Sequence, residues 1–420
     1  MHAALRRSSQ VRSLLIFGLR IGSLAAKAAL VLFIARFLSL SDLGTYGLVA
    51  GAAVVGPIVM GLGLPNIIAR DIVSASAEQR VLEISKYWAF MVVTYLAASL
   101  LLSFCLTPWM SLPLVLLTVG IVMCEHFNAD AFAVLTNLQR AVTANMLLSL
   151  RAGVWIAVYM GAASIFPEMR NLFSLLAAWF VGSLLAIAAF LYIVRGWPWN
   201  EVCDADWSFT WYRTKLRTAW QLYVSDVLYF CGQYVDRYLV GLFLGLELTG
   251  VYILFWQVGN AVYNLANTGV MQLFRARLIR AINEGDEDNF RSTYRECISA
   301  TLTNAVLLSA VAGVVVLLCL PYLNQPVAAK HASVLWLVLA SLIVRVSADL
   351  AGYELYARRY DRGLAISNGV LLVSLTALDV TVMAFGGELD GVAGAGLLAA
   401  AATLLSRIHI IRRVRQGIAA

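Results

Sequence analysis

The sequence predicts an all-α polytopic membrane protein of about twelve transmembrane helices, arranged as two parallel six-helix repeats. Three observations carry that prediction. First, the chain is 61% hydrophobic and 13% charged, with mean hydropathy +0.80; an ordinary soluble domain is nearer half apolar and a quarter charged. Second, the basic residues fall almost entirely on one side of the apolar segments. Third, a ten-residue phrase recurs near the midpoint: FLSLSDLGTY at 37–46 returns as FLGLELTGVY at 243–252.

The segments read, in order, as residues 12–37, 43–64, 86–107, 111–131, 142–166, 171–195, 217–244, 250–274, 296–320, 333–355, 363–386 and 390–411. The first follows a basic stretch, MHAALRRSSQVRSLL. Its apolar part runs to Phe37, longer than the core of a signal peptide, with no small-residue cleavage site; it reads as an uncleaved first helix. Trp88–Leu106, Leu172–Val194, Ala300–Leu320 and Leu364–Phe385 are apolar runs of bilayer-crossing length. Helices are required there, because hydrocarbon leaves no other partner for the backbone polar groups. The connections Ser39–Asp42, Thr107–Ser111, Gly245–Thr249 and Gly386–Asp390 are short turns. The stretch Arg195–Arg217, with Trp197, Trp199, Trp207 and Trp211, reads as an interfacial linker between the halves. Arg275–Arg295 reads as a helix end, a turn at Glu284–Asp286 and an amphipathic helix lying on the membrane surface.

Twenty-three of the 31 basic residues lie on the side of the N-terminus, Arg407 among them; only Arg170 and Lys330 lie clearly on the other. By the positive-inside rule both termini are cytoplasmic. The net charge of +7 then reflects topology and contact with anionic lipid rather than nucleic-acid binding. The six Cys are scattered without a CxxC and the four His have no ligand spacing, so no disulfide frame, metal site or cofactor is indicated. No nucleophile–base pair or nucleotide-binding loop is present, and no outward loop is large enough to carry chemistry. The chain does not read as an enzyme.

The copies of the phrase are separated by 206 residues and six helices. An even number keeps both in the same orientation, the parallel type of transporter repeat, in which the substrate site lies at the repeat interface. The halves are residues 1–200 and 201–420. The repeat also aligns polar positions. Arg20 and Lys27, seven residues apart on one face of the first helix, correspond to Asp226 and Gln233 in the seventh. There a stripe runs Asp226, Tyr229, Gln233, Arg237, and the eighth helix adds Gln257, Asn260, Asn264 and Asn267. Polar stripes in a bilayer face either a cavity or a partner helix. Arg20 and Lys27 have no acid on their own helix face and point to a water-filled cavity. Arg345 and Asp349, four apart, are placed to pair with each other. Asp379 stands alone in its helix, and Asp226, Asp349 and Asp379 are the acids available for proton coupling or as counter-ions. Glu125, His126 and Asp130 read as a wetted helix end. Tyr46 and Tyr252 read as members of the interface belt.

The residues resemble a known family. The layout, the phrase FLGLELTGVY after an Asp-Arg pair, the following RARLIRAINEGDEDNF, and the N-terminal KAALVLFIARFLSLSDLGTYGLVAGAAVVGPIVMGLGLPNIIARDIV are similar to polysaccharide flippases of the multidrug/oligosaccharidyl-lipid/polysaccharide (MOP) exporter superfamily. The resemblance implies a MATE-like fold of two lobes around a central cavity, in the bacterial inner membrane. It implies export of an undecaprenyl-pyrophosphate-linked oligosaccharide for O-antigen, lipopolysaccharide or exopolysaccharide assembly, alongside other polysaccharide assembly proteins. Cationic cavity residues are implied to hold the pyrophosphate; Arg20 and Lys27 occupy the first-helix positions, with Arg237 and Arg345 as further candidates. The alternatives are a drug or metabolite exporter of the same superfamily, and a non-transporting component of a polysaccharide assembly complex.

Overall fold

The computed structural model describes residues 2–204, 207–358 and 360–416, and the described residues contain helices and no strand. In order these are α1 (His2–Phe37), α2 (Leu40–Gly61), α3 (Leu64–Ser74), α4 (Ala77–Leu106), α5 (Leu112–Asn137), α6 (Ala141–Ser149), α7 (Trp155–Ile165), α8 (Leu172–Val194), α9 (Phe209–Phe243), α10 (Leu246–Ala266), α11 (Gln272–Asn283), α12 (Glu287–Leu323), α13 (Pro326–Lys330), α14 (Ala332–Ala357), α15 (Asp361–Ala384) and α16 (Leu389–Arg415). A π-helical turn at Leu150–Val154 joins α6 to α7, and a second at Asn267–Met271 joins α10 to α11.

Ten segments among the described residues are long and apolar enough to cross a membrane, with α6 and α7 forming one of them. This is a multi-pass membrane protein. At the other two expected spans the chain forms the helices α9 and α10, which carry the polar stripes and are not among those ten. Two boundaries differ from the sequence reading. The amphipathic surface helix after Gly285 is instead the first turns of α12, which runs unbroken for 37 residues. Asp286 caps that helix by accepting from the Asn289 amide, and Gly285 turns the chain ahead of it at φ 72°. After α2, the chain folds a short α3 before α4 starts at Ala77, where Ser76 and Gln79 form a reciprocal capping box.

The chain divides into two compact units, residues 1–33 with 49–223 and residues 34–48 with 224–420. In the first, Leu64, Ile68 and Ile72 of α3 pack on Ile84, Tyr87 and Met91 of α4. In the second, Val262, Phe274, Phe290, Leu342 and Val346 belong to one packed core cluster. Outward faces stay apolar: Leu100 and Phe104 of α4 and Leu318 of α12 are largely exposed, as expected of surface that meets acyl chains.

The second unit contains both copies of the repeated phrase, and they pack against each other. A Cβ on Gly44 would overlap the carbonyl oxygen of Leu246, and a Cβ on Gly250 would overlap that of Leu40. Leu40 and Leu246 are themselves repeat equivalents, so the contact is reciprocal, as across a two-fold axis. Apolar surface gains little from association in lipid, and helices there rely on close backbone approach at small residues. Tyr46 and Tyr252 are accordingly buried behind this contact rather than placed in an interface belt. Substituting Gly250→Ala is expected to cost about 1–3 kcal/mol through overpacking and lower the melting temperature in detergent. Gly394→Ala, where nothing lies within 4 Å of the added carbon, should leave it unchanged or raise it slightly; equal losses from both would rule the contact out.

Candidate functional site

In the first unit, α1 carries its two cations inside the candidate span Leu14–Phe37. Lys27 lies 13 residues into that span, about 20 Å from its start at the helical rise. Both Arg20 and Lys27 are exposed. Arg20 donates from Nε to the Asn145 Oδ1 of α6 at 2.8 Å. Lys27 stands within electrostatic reach of Glu125 and Arg151. Those two face each other at 3.4 Å, and Glu125 Oε1 also accepts from Trp179 Nε1 and Ser183 Oγ, each at 3.0 Å. Arg151 sits on the π-helical turn, a local widening often found where a helix serves a site. Lys27 and Arg151 therefore share one carboxylate, and that carboxylate is already committed to Arg151 and two donors.

The cluster at Glu125, His126 and Asp130 is not a wetted helix end. α5 continues to Asn137, and His126 and Asp130 are buried. Tyr87 donates to Asp130 Oδ2 at 2.6 Å, and Tyr95 meets His126 Nδ1 at 2.6 Å. The extra helical length places His126 and Asp130 inward, where Tyr95 and Tyr87 of α4 satisfy them.

The second unit holds two neighbouring cavities. One, about 80 Å³, is lined by Gln233, Asp236, Tyr252, Trp256, Asn260 and Arg345, among others. The other, about 340 Å³, is lined by Asp226, Tyr229, Tyr263, Asn267, Asn368 and others. Asp349 and Arg407 line both and are ion-paired at 2.9 Å. Asp349 thus takes its partner from α16, not from Arg345 four residues back. Its other oxygen accepts from Tyr263 at 2.8 Å, and Arg345 lies 4.4 Å from the centre of the Tyr263 ring. Arg407, counted in sequence among the cations at the helix ends, is buried. α16 runs eight residues beyond it, about 12 Å, and its guanidinium also reaches Ser367, Ala348 O and Asn368.

The remaining candidates differ in placement. Gln233 and Asn260 line the smaller cavity, and Asp226 and Asn267 the larger; Gln257 and Asn264 line neither. Asn264 donates back to Asn260 O within its own helix. Arg237 also lines neither cavity: it is buried, its guanidinium lies 3.3 Å from the Trp256 ring centre, and none of its side-chain nitrogens has a hydrogen-bond partner among the described residues. Asp379 is fully buried with both oxygens unpartnered among the described residues, in electrostatic reach of Asp236. No group of three potential metal-ligating side chains occurs among the described residues. The sequence placed Glu125 at a wetted helix end, counted Arg407 among the basic residues on the side of the N-terminus, and assigned no role to Asn145 or Trp256. Only the tertiary partners single them out.

A family model described as "Polysaccharide biosynthesis protein" matches residues 21–274, more than half of the chain. No curated protein sequence matches. Among solved structures, the lipid II flippase MurJ in an inward closed conformation superimposes with TM-score 0.74 at 15% identity, covering 96% of this chain and 87% of that one. An inward-facing multidrug resistance MATE family transporter of the MOP superfamily gives 0.70 at 13% identity, covering 94% and 96%. A MOP superfamily transporter from Pyrococcus furiosus, described as having a binding pocket of reversed polarity, gives 0.57 at 12% identity, covering 98% and 94%. The fold is therefore that of the MOP superfamily.

Removing the one carboxylate of the first-unit cluster should expose its electrostatic role. Glu125→Gln is expected to destabilise the protein by about 3 kcal/mol, the usual cost of stranding a largely buried cation. Adding Arg151→Met should recover part of that loss in detergent unfolding; a double variant less stable than the single one would contradict the pairing.

Proposed function

The chain belongs to the polysaccharide biosynthesis protein family, and from that premise we propose that it is a transporter that flips an undecaprenyl-pyrophosphate-linked oligosaccharide across the bacterial inner membrane by alternating access. The observation that carries this reading is the exposure of Arg20 and Lys27 inside an apolar span. A cation facing acyl chains at that depth is costly, so such residues face water or an anionic ligand. A lipid-linked sugar presents that ligand. Its pyrophosphate cannot cross about 30 Å of hydrocarbon unaccompanied. Arg20 offers a planar, charge-assisted fork to a phosphate, and Lys27 a mobile point charge. Asn145 holds the Arg20 guanidinium in place. Glu125 offsets Arg151 and leaves a net positive face. The polyprenyl tail stays in the bilayer while the head group passes.

The amides Asn260 and Asn267, each on a cavity wall, suit sugar hydroxyls. Asp379 is the coupling acid in this reading. A buried carboxyl without a hydrogen-bond partner is held neutral or must take up a cation, so its occupancy can report the state of the second unit. Both termini lie in the cytoplasm. The neighbour MurJ is a lipid II flippase, which favours a lipid-linked substrate over a soluble drug. A multidrug neighbour keeps the exporter reading open, but a cationic drug would be repelled by Arg20 and Lys27.

Two variants test the reading. Arg20→Gln with Lys27→Gln should reduce flipping of labelled lipid-linked oligosaccharide in proteoliposomes at least ten-fold, with normal protein abundance; a wild-type rate would refute the anion site. A wild-type protein that leaves the labelled lipid in its original leaflet would support the non-transporting assembly role instead. Asp379→Asn should retain downhill equilibration between leaflets while losing uphill movement driven by an ion gradient. Preserved uphill movement would remove Asp379 from coupling.

A further inference from the structure

A cavity of about 290 Å³ in the first unit is lined by neither Arg20 nor Lys27 but chiefly by Arg80, Asn137, Leu138, Gln139, Arg140 and Trp197. Four candidate spans meet here at their ends. Arg80 is in the first turn of α4, Asn137 is the last residue of α5, Arg140 precedes α6, and Trp197 lies three residues beyond α8. A cavity at the ends of four spans sits at the membrane–water boundary. The indoles agree: Trp197 stacks on Trp199 at 5.9 Å, and Trp199 on Trp88 at 6.1 Å, as aromatic rings do at headgroup depth.

The charge of the cavity is one-sided. Two guanidinium groups line it and no carboxylate does. Neither arginine makes an ion pair among the described residues. Arg80 is aimed by its own neighbourhood, donating from Nε to Ile72 O and from Nη2 to Ala75 O, which leaves Nη1 available. Arg140 is exposed and occupies the N-cap position of α6 without providing a side-chain cap. The first amides of that helix therefore add partial positive charge. Gln139 adopts a left-handed backbone, φ 60°, while Arg140 N donates to Leu135 O at 2.8 Å. A non-glycine residue held this way is a strained conformation that a binding loop can justify. Val73, exposed on the rim, and Leu138 supply an apolar edge.

We infer that this cavity binds the headgroup phosphodiester of an anionic phospholipid. The two guanidinium groups take the phosphate oxygens, the amides of Asn137 and Gln139 take glycerol hydroxyls, and the acyl chains leave past Val73 and Leu138. The volume is at the lower end for small-molecule sites and suits a phosphoglycerol group. A zwitterionic headgroup would bring an ammonium against two arginines. The excess of basic residues on this side of the membrane agrees with a leaflet rich in anionic lipid. The site is separate from the flipping function and does not depend on it.

The test uses the purified full-length protein in detergent, titrated with phosphatidylglycerol, phosphatidylcholine or inorganic phosphate and followed by native mass spectrometry and thermal shift. Phosphatidylglycerol is expected to bind and stabilise, and phosphatidylcholine not to. Arg140→Gln and Arg80→Gln should each weaken the apparent affinity about five-fold. Arg195→Gln, an equal change of charge on an exposed residue outside the cavity, should not. The proposal fails if Arg195→Gln weakens binding as much as Arg140→Gln, because general surface charge then suffices. It also fails if phosphatidylcholine binds equally, or if inorganic phosphate displaces the lipid at comparable concentration. Arg80 holds the α3–α4 connection, so its variant can fail to fold; Arg140 makes no side-chain hydrogen bond or ion pair among the described residues, and its variant alone decides the outcome.

Discussion

The reciprocal backbone contact at Gly44 and Gly250 is the constraint on which the second unit's arrangement rests. Each glycine admits a carbonyl oxygen from the other copy of the same phrase, at a separation that any side chain would forbid. This draws residues 34–48 out of the N-terminal half of the sequence and into the compact unit formed by residues 224–420. Around it, Gly47 lies against Ile253, Thr249 and Tyr252 are buried, and the Tyr252 hydroxyl donates to Asp236 at 2.7 Å. A backbone contact between small residues thus fixes the position of an acid on the wall of the smaller cavity. The chain of contacts runs from two hydrogen side chains to Asp236 without any charged group holding the helices together.

The two units treat their buried charge in opposite ways. In the first, Arg20 and Lys27 stay exposed, and Glu125, already paired with Arg151, is the acid in reach of Lys27. In the second, Asp349 and Arg407 neutralise each other within a shared wall, and Arg345 and Arg237 spend their guanidinium faces on the rings of Tyr263 and Trp256. An exposed, uncompensated cation can bind an anion that arrives; a buried, paired one can only hold the protein in shape or respond to a change in its partner. The positions related by the repeat show the same divergence. Arg20 corresponds to Asp226 and Lys27 to Gln233, and the latter two line cavities of the unit that carries more acid. Duplicated architecture has therefore been given two electrostatic roles.

Polar side chains within the spans also explain the irregular helices. Both π-helical turns occur beside such groups, at Arg151 and at Asn267. A π turn shifts the register of the residues after it, so a helix can present a polar group to one neighbour and resume its apolar face toward another. The polar knot of Tyr87, Tyr95, His126 and Asp130 solves the same problem differently. It closes on itself through short hydrogen bonds and leaves little for a ligand to take.

Composition, the one-sided distribution of arginine and the recurring phrase determined the helical membrane class, ten of the helices and the repeat, because span length and backbone satisfaction in hydrocarbon act residue by residue along the chain. The exposed pair on α1 was legible for the same reason: seven residues is two helical turns, and no acid shares the face. The pairing of charges was decided only by the tertiary structure. Spacing offered Asp349 the arginine one turn away, but α16 brought Arg407 within 2.9 Å. Nor could spacing show that α5 extends far enough to bury His126 and Asp130, or that Gly44 and Gly250 face each other. Contacts across helices depend on which faces meet, and a periodic pattern names the face but not the neighbour.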